Sequence, residues 1–232
     1  MSKLNFITFT NKGYVDYTKN LLVSNIKNDV NVDIKVYTLD NYSYEYFSDF
    51  HRNVELFEKD DFANKYLSQA DENFGNLMLV KFELIYQELL NNENVLYVDG
   101  DIVFKQNFED YILNYSPDSD IVFQNDLRPS KPNREWVCAG FMYIKSNDIT
   151  KEFFKPTKKL INKFTKYKTH DQSYINKNKK KFKYSILPLD DFPNGAHYYQ
   201  HFESLNPQMI HFNYVRGDKK LELMHEHKEW YI

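Results

Sequence analysis

Asp99 and Asp101 stand either side of a single glycine and follow directly on the apolar run Val95-Leu96-Tyr97-Val98. Two carboxylates so close together, released from a buried strand, form a compact oxygen-rich site for a hard divalent cation such as Mg²⁺ or Mn²⁺. A diphosphate would complete the site, because such a cation neutralises the charge that gathers on a departing diphosphate. Gly100 lets the backbone turn and come close to a ligand. The same Asp-Gly pair is also a common turn between two strands, so the motif alone leaves both readings open.

Late in the chain, Met209-Ile210-His211-Phe212-Asn213 is followed by Gly217-Asp218-Lys219-Lys220. Imidazole can join carboxylates on Mn²⁺, and lysine can pair with phosphate oxygens as a point charge. Taken singly, His211 is equally a hydrogen-bonded core histidine. His197, His201 and His225 have poorer surroundings and read as surface or packing residues. Lys81 interrupts the apolar helical face of Leu77, Val80, Leu84, Ile85 and Leu89. A lysine there either snorkels to solvent or reaches an anionic ligand, and the ligand is the expectation. The basic run from Lys177 to Lys183 reads as a solvated helix end.

Elements that could hold these groups follow from periodicity. Leu4 to Thr10 is β-branched and aromatic and ends at Asn11-Lys12-Gly13, a strand followed by a turn. Tyr14, Tyr17, Leu21, Leu22 and Ile26 recur at helical spacing, and Val32 to Leu39 alternates as a second strand. A β-α-β opening favours a parallel sheet, whose ligands gather at the carboxyl ends of strands, where Asp99 and Asp101 stand. A short helix and a strand near Val54 to Phe57 are expected next, then a helix from Asn76 and the strand Val95 to Val98. Further strands are expected at Ile102 to Phe104, Ile121 to Gln124, Phe141 to Ile144 and Met209 to Phe212, with helices from Asp148 to Lys163 and from His170.

The 232 residues, with 42% hydrophobic and 27% charged side chains, suffice for one sizeable α/β core. Lys and Arg total 30 against 33 Asp and Glu, a net charge of -3, so general attraction to nucleic acid is not expected and any nucleotide recognition must be local. No apolar run is long enough for a signal peptide or a membrane span, which makes a cytoplasmic location the expectation. The single cysteine, Cys138, cannot form an internal disulfide. A glycine-rich loop of the Walker type is absent, against an ATPase or kinase of that fold.

In their order along the chain, these pieces resemble the retaining GT-A glycosyltransferases of the glycogenin type (glycosyltransferase family 8) and the related nucleotide-diphospho-sugar transferases. The resemblance is carried by Thr8-Phe9-Thr10-Asn11-Lys12-Gly13-Tyr14, by Lys81, by Val98-Asp99-Gly100-Asp101, by Cys138-Ala139-Gly140-Phe141 and by His170-Asp171-Gln172, and closes with His211, Gly217 and Lys220. It implies an α/β fold, a Rossmann-like GT-A single domain over residues 1–232 with a mostly parallel central sheet flanked by helices. Residues 1–105 would mainly bind the nucleotide and 106–232 mainly the sugar and acceptor.

The implied activity is metal-dependent transfer of a sugar from a nucleotide diphosphate sugar, a UDP-sugar, to an acceptor hydroxyl with retention of configuration, using Mn²⁺ or Mg²⁺. Phe9, Thr10, Asn11 and Tyr14 would line the nucleotide pocket, with Tyr14 stacking on the base, and Lys81 would face an anionic group. Asp99 would meet ribose and metal, Gly100 the donor, and Asp101 and His211 the metal. Ala139 and Gly140 would admit the sugar, Gly217 would permit close approach, Lys220 would hold the β-phosphate, and Asp171 and Gln172 would face the reacting sugar. The family pattern places a glycine soon after the histidine and Pro-Trp after the lysine, whereas here Asn213 to Arg216 intervene and Leu221-Glu222 follow. Trp230 and Tyr231 either cover the site or pack down the chain end. The competing classes are a metal-dependent nucleotidyltransferase or phosphodiesterase and a catalytically silent sugar-nucleotide-binding module.

Overall fold

The computed structural model describes residues 3–59, 74–127, 130, 133–167 and 169–232. In chain order the elements are β1 (Phe6–Thr10), α1 (Val15–Lys27), β2 (Ile34–Thr38), α2 (Asn41–Ser48), β3 (Val54–Leu56), α3 (Phe74–Asn91), β4 (Asn94–Val98), β5 (Ile102–Phe104), α4 (Glu109–Tyr115), β6 (Ile121–Asn125), β7 (Val137–Lys145), α5 (Asp148–Phe154), α6 (Lys158–Thr165), α7 (Asp171–Asn178), β8 (Tyr184–Ile186), α8 (Gly195–His201), β9 (Met209–His211) and α9 (Asp218–Glu226).

A seven-stranded sheet runs β3-β2-β1-β4-β7-β6-β8, and β5 pairs with β9 in a separate two-stranded ladder. Neighbours in the large sheet are parallel except for β7, which is antiparallel to both β4 and β6. The mostly parallel α/β sheet expected from the opening pattern is thus present. The central strands are near-continuous apolar runs because helices cover both faces, and every residue of β4 is buried.

Aromatic side chains fill the space between α3 and the helices behind it. Phe82 lies 5.0 to 6.0 Å, centroid to centroid, from Phe153, Phe154, Phe164 and Tyr174, which tie α3 to α5, α6 and α7. This is one use of a composition so rich in Phe and Tyr. The helix expected from Asp148 to Lys163 is two helices. Pro156 has no N–H to donate and disfavours helical backbone at Lys155, which is extended at ψ 127°. Thr157 then caps the new helix, its side chain accepting from Leu160 N. Lys179, placed by the sequence in a solvated run, is instead buried, with its ammonium 2.7 Å from Glu135.

Candidate active site

Parallel strands send their carboxyl ends to one edge, so the loops after β1, β4 and β6 meet there, joined by the amino end of the reversed β7. Asp99 leaves β4 at this edge with its N–H donating to Gly140 O at 2.7 Å. The β5–β9 ladder pairs Ile102 with His211, and this register brings the imidazole beside the acid pair. His211 Nε2 is 3.3 Å from Asp101 Oδ1 and 4.0 Å from Asp99 Oδ2.

One ligand atom from each of Asp99, Asp101 and His211 falls within 4.8 Å of the other two. Two carboxylates and an imidazole suit Mn²⁺ or Mg²⁺ in donor chemistry, and the spacing fits one ion. Gly140 keeps the space open: a Cβ there would lie 2.5 Å from both Asp99 Oδ2 and His211 Cε1. The residues therefore fit a divalent cation.

Cations of the protein now neutralise the acids. Lys220 Nζ donates to Asp101 Oδ2, and His211 faces the other oxygen. Burial would raise the Asp101 carboxyl, but Lys220 and His211 overcome it and hold the group well below the usual carboxylate range. Burial likewise acts to lower His211, while the adjacent Asp101 carboxylate outweighs it and pushes the imidazole up to about 10. His211 would have to give up this proton to become a ligand. Its Nδ1 is 2.7 Å from Gln124 Oε1, which fixes the ring.

On the other side of Asp99, Lys81 is buried at the centre of a second charge cluster. Its Nζ donates to Asp171 Oδ2 at 2.7 Å and to Ala139 O at 3.2 Å, and lies 3.2 Å from Asp99 Oδ1. The ammonium also sits 4.7 Å from the centroid of the Tyr97 ring, whose hydroxyl donates to Asp99 Oδ1 at 2.6 Å. The lysine thus reaches anionic groups as expected, but they are the protein's own carboxylates. Gln172 is held at both ends, its amide nitrogen donating to Asp126 Oδ2 at 2.7 Å and its oxygen accepting from Ala139 N at 3.4 Å.

A cavity of about 520 Å³ connects these groups. It is lined by Phe9, Thr10, Asn11 and Tyr14 at one end and by Asp171 and Gln172 at the other, with Gly100, Ala139 and Gly140 between them. The Tyr14 ring lies 5.0 Å from that of Tyr17, tilted by 40°, and its hydroxyl accepts from Lys220 Nζ at 3.4 Å. Phe9 is only half exposed to the cavity and packs toward Tyr97 at 6.2 Å, combining a core and a lining role. Gly217 does not line the cavity. It supplies backbone conformation, with φ +56° immediately before α9, which carries Lys220.

Sequence reasoning missed Trp136, His170, Tyr214 and Arg216, which also line the cavity. Tyr214 takes a φ of 70°, and its hydroxyl donates to Asp126 O at 3.1 Å, so the extra residues after His211 fold toward Asp126, which also holds Gln172. Trp230 and Tyr231 pack down the chain end. Trp230 lies edge-on to Tyr17 at 5.6 Å, and Tyr231 N donates to Asn20 Oδ1 at 2.6 Å.

A family model described as nucleotide-diphospho-sugar transferase matches residues 33–224. The chain is 25% identical over 277 aligned residues to the UDP-galactose:fucoside alpha-3-galactosyltransferase of Dictyostelium discoideum, an alignment covering 97% of this chain and 43% of that protein. It therefore spans less than half the length of that curated relative.

Among solved structures it is similar to the galactosyltransferase LgtC in complex with donor and acceptor sugar analogs, with a TM-score of 0.63 and 12% identity over 96% of both chains. The glycosyltransferase GlyE of Streptococcus pneumoniae matches with a TM-score of 0.60 and 13% identity, covering 98% of this chain and 60% of that one. Mouse xyloside xylosyltransferase 1 matches with a TM-score of 0.53 and 10% identity, covering 91% and 98%. These likenesses establish the GT-A fold. With the family model spanning most of its length, the chain belongs to the nucleotide-diphospho-sugar transferase family.

Proposed function

We propose that this chain is a metal-dependent glycosyltransferase that moves a sugar from a UDP-sugar to an acceptor hydroxyl with retention of configuration. The observation that carries the reading is the Asp99, Asp101 and His211 cluster lying between Tyr14 and the Asp171–Gln172 pair in one cavity. In this reading Asp99, Asp101 and His211 hold Mn²⁺ or Mg²⁺, which when bound neutralises charge on the diphosphate. Tyr14 offers a ring to the base, Thr10 and Asn11 polar edges, and Lys220 an ammonium to the β-phosphate. The first half of the chain, residues 1–105, supplies most of the nucleotide contacts, and 106–232 most of the sugar and acceptor contacts.

Retention is supported by how the carboxylates are engaged. Among the described lining residues they are Asp99, Asp101, Asp126 and Asp171. Asp99 faces Tyr97 and Lys81, Asp101 faces Lys220 and His211, Asp126 holds Gln172, and Asp171 holds Lys81. None stands apart as a base for an acceptor hydroxyl, as inversion requires. On the same face of the sugar, the bond from the anomeric carbon to the diphosphate breaks, the acceptor oxygen bonds to that carbon, and its proton passes to the departing diphosphate. Asp171 and Gln172 stabilise positive charge developing at the anomeric carbon. The curated relative's name pairs a UDP-galactose donor with an alpha linkage, and UDP-galactose carries its sugar in the α configuration.

The test is transfer from UDP-galactose and UDP-glucose with and without Mn²⁺, with the anomeric coupling of the first-formed product read by NMR. An α-linked product formed only with metal is expected. A β-linked product rejects retention, and turnover indifferent to chelation rejects the metal assignment.

A further inference from the structure

The charge of the chain is unevenly placed. Residues 148–183 carry 12 Lys against 3 Asp or Glu, so the other 196 residues carry 18 Lys and Arg against 30 Asp and Glu. Nine of the segment's lysines are exposed among the described residues, whereas Asp171, one of its three acids, is buried in the wall of the active-site cavity. A chain with a net charge of -3 thus contains a strongly basic stretch that faces solvent.

The fold draws these lysines together. A recess of about 410 Å³ is lined by Lys155 at the end of α5, by Lys159 and Lys163 of α6, and by Lys181 in the 3₁₀ turn after α7. Lys159 and Lys163 stand one turn apart on a helix that is anchored by burying Leu160 and Phe164. Like charges at that spacing repel. Lys155 meets Glu152 at 3.9 Å, and Lys159, Lys163 and Lys181 have no ion pair among the described residues. An anionic partner would relieve the repulsion.

Apolar side chains are set among these ammoniums. Ile149 lines the same recess and is 50% exposed, and Tyr167, next to Lys166 after α6, is 68% exposed. Lysines that meet anionic headgroups, with apolar and aromatic groups that enter the headgroup boundary, are how a protein face lies on a bilayer. The segment contains no Arg. Protein interfaces are enriched in Arg and depleted in Lys, which disfavours an acidic protein as the partner. A nucleic-acid backbone would pair the ammoniums but gives Ile149 nothing to bury against. No helix among the described residues is long and apolar enough to cross a membrane, so the contact is with the surface.

We infer that the lysine-rich face formed by α5, α6 and the turn after α7 docks on a bilayer surface bearing anionic phospholipids. Helix α7 runs from Asp171 in the active-site cavity to Asn178 at the recess, about 12 Å at 1.5 Å per residue. Docking therefore holds the cavity about one helix length from the headgroups. No described residue lining the recess also lines that cavity, so docking and sugar transfer are tested separately.

Co-sedimentation with phosphatidylcholine vesicles containing about one third phosphatidylserine, set against phosphatidylcholine alone, measures the affinity. Binding to the anionic vesicles only is expected, and it should weaken as added salt screens the charges. The triple variant Lys159→Gln, Lys163→Gln, Lys181→Gln should bind these vesicles about 100-fold more weakly, at about fivefold per lysine, and the single Lys163→Gln about fivefold more weakly. The triple variant Lys3→Gln, Lys27→Gln, Lys228→Gln removes the same charge from exposed positions outside the segment and should change affinity by less than about threefold. Ile149→Ser should weaken binding about threefold at low and high salt alike, because apolar burial is not screened.

Equal losses in the two triple variants would mean that net charge acts without a docking face, and equal binding to neutral vesicles would mean that anionic headgroups are not recognised. Either result overturns the inference. Absence of binding to anionic vesicles overturns it as well, and parallel titrations with polyglutamate and a single-stranded oligonucleotide would then show whether the face takes an acidic protein or a nucleic acid instead.

Discussion

Helix α3 carries two buried ions of opposite sign about two turns apart, Lys81 and Glu88, and their surroundings differ in kind. Glu88 accepts from the Tyr37 hydroxyl, from Lys35 Nζ at 2.9 Å, from Asn5 Nδ2 at 2.8 Å and from Asn92 Nδ2 at 2.7 Å. Those donors lock α3 to the start of β1 and to β2, and they saturate the carboxylate. Lys81 also has protein partners, but Asp99, Asp171 and Ala139 all line the cavity. Burial of a charge is common to both. The difference is that one cluster is closed upon itself, while the other holds carboxylates in a geometry that further cations or hydroxyls can join.

The open side of the molecule extends past Asp99 to Asp101, which faces His211 and Lys220, and removing that carboxylate should have the largest effect. Asp101→Asn, which keeps the volume, should lower metal-dependent turnover by about 100-fold or more while thermal unfolding stays cooperative. Full activity in this variant would place the metal elsewhere. Lys81→Met should lower kcat about 10- to 100-fold, because Asp171 loses the donor that positions it. If Lys81→Met instead loses stability while each folded molecule turns over normally, Lys81 is architecture like Glu88 and the contrast fails.

Glu88→Gln probes the closed cluster and should cost about 1–3 kcal/mol in urea unfolding at neutral pH, with turnover per folded molecule unchanged. Lys35 keeps Glu55 at 2.8 Å, so it is not left unpaired. The pH dependence has a definite sign. Burial acts to raise the Glu88 carboxyl, but bonds from Tyr37, Lys35 and Asn5 prevail and hold it below its ordinary value. A depressed carboxyl stabilises the fold above its unfolded value of about 4.3 and loses that contribution as pH falls below it. The gap between parent and Glu88→Gln should therefore close in acid, and a gap that widens there would contradict the ion-pair account.

The same contrast explains what could be read from the sequence. Asp99, Asp101 and Lys81 were legible because each breaks an apolar pattern at a place where the β-α-β order predicts a ligand edge. Asp171 and Gln172 were reached through resemblance alone, since an acid at a helix start is ordinary, and only the resemblance told Lys220 apart from its neighbour Lys219. Trp136 carried no signal, and His170 entered only as the first residue of the segment His170-Asp171-Gln172, with no role of its own. Four short elements, α4, β8, α8 and α9, also escaped, and α4 buries only Ile112. β8 has three half-buried residues, α8 starts on Gly195 with no apolar stripe, and α9 buries only Lys220 and Met224. The pairing of β9 with β5, which delivers His211 to Asp101, joins segments about a hundred residues apart and has no local trace.

The smallest expected effect lies at Lys220, and its sign sharpens the comparison most. Lys220 Nζ rests on the Asp101 carboxylate that the metal also needs, so without nucleotide the ammonium and the ion compete for one group. The same Nζ is 3.4 Å from the Tyr14 hydroxyl, at the nucleotide end of the cavity, where a diphosphate offers it another partner. Lys220→Met removes the competitor in one state and the phosphate contact in the other. Mn²⁺ affinity without nucleotide should rise about fivefold, roughly 1 kcal/mol, while UDP affinity in saturating Mn²⁺ should fall by a similar factor. Calorimetric titration of Mn²⁺ alone and of UDP with Mn²⁺ measures both. A fall in both affinities would mean that Lys220 holds Asp101 in place, as Lys35 holds Glu88, and that this arm of the open cluster is closed after all.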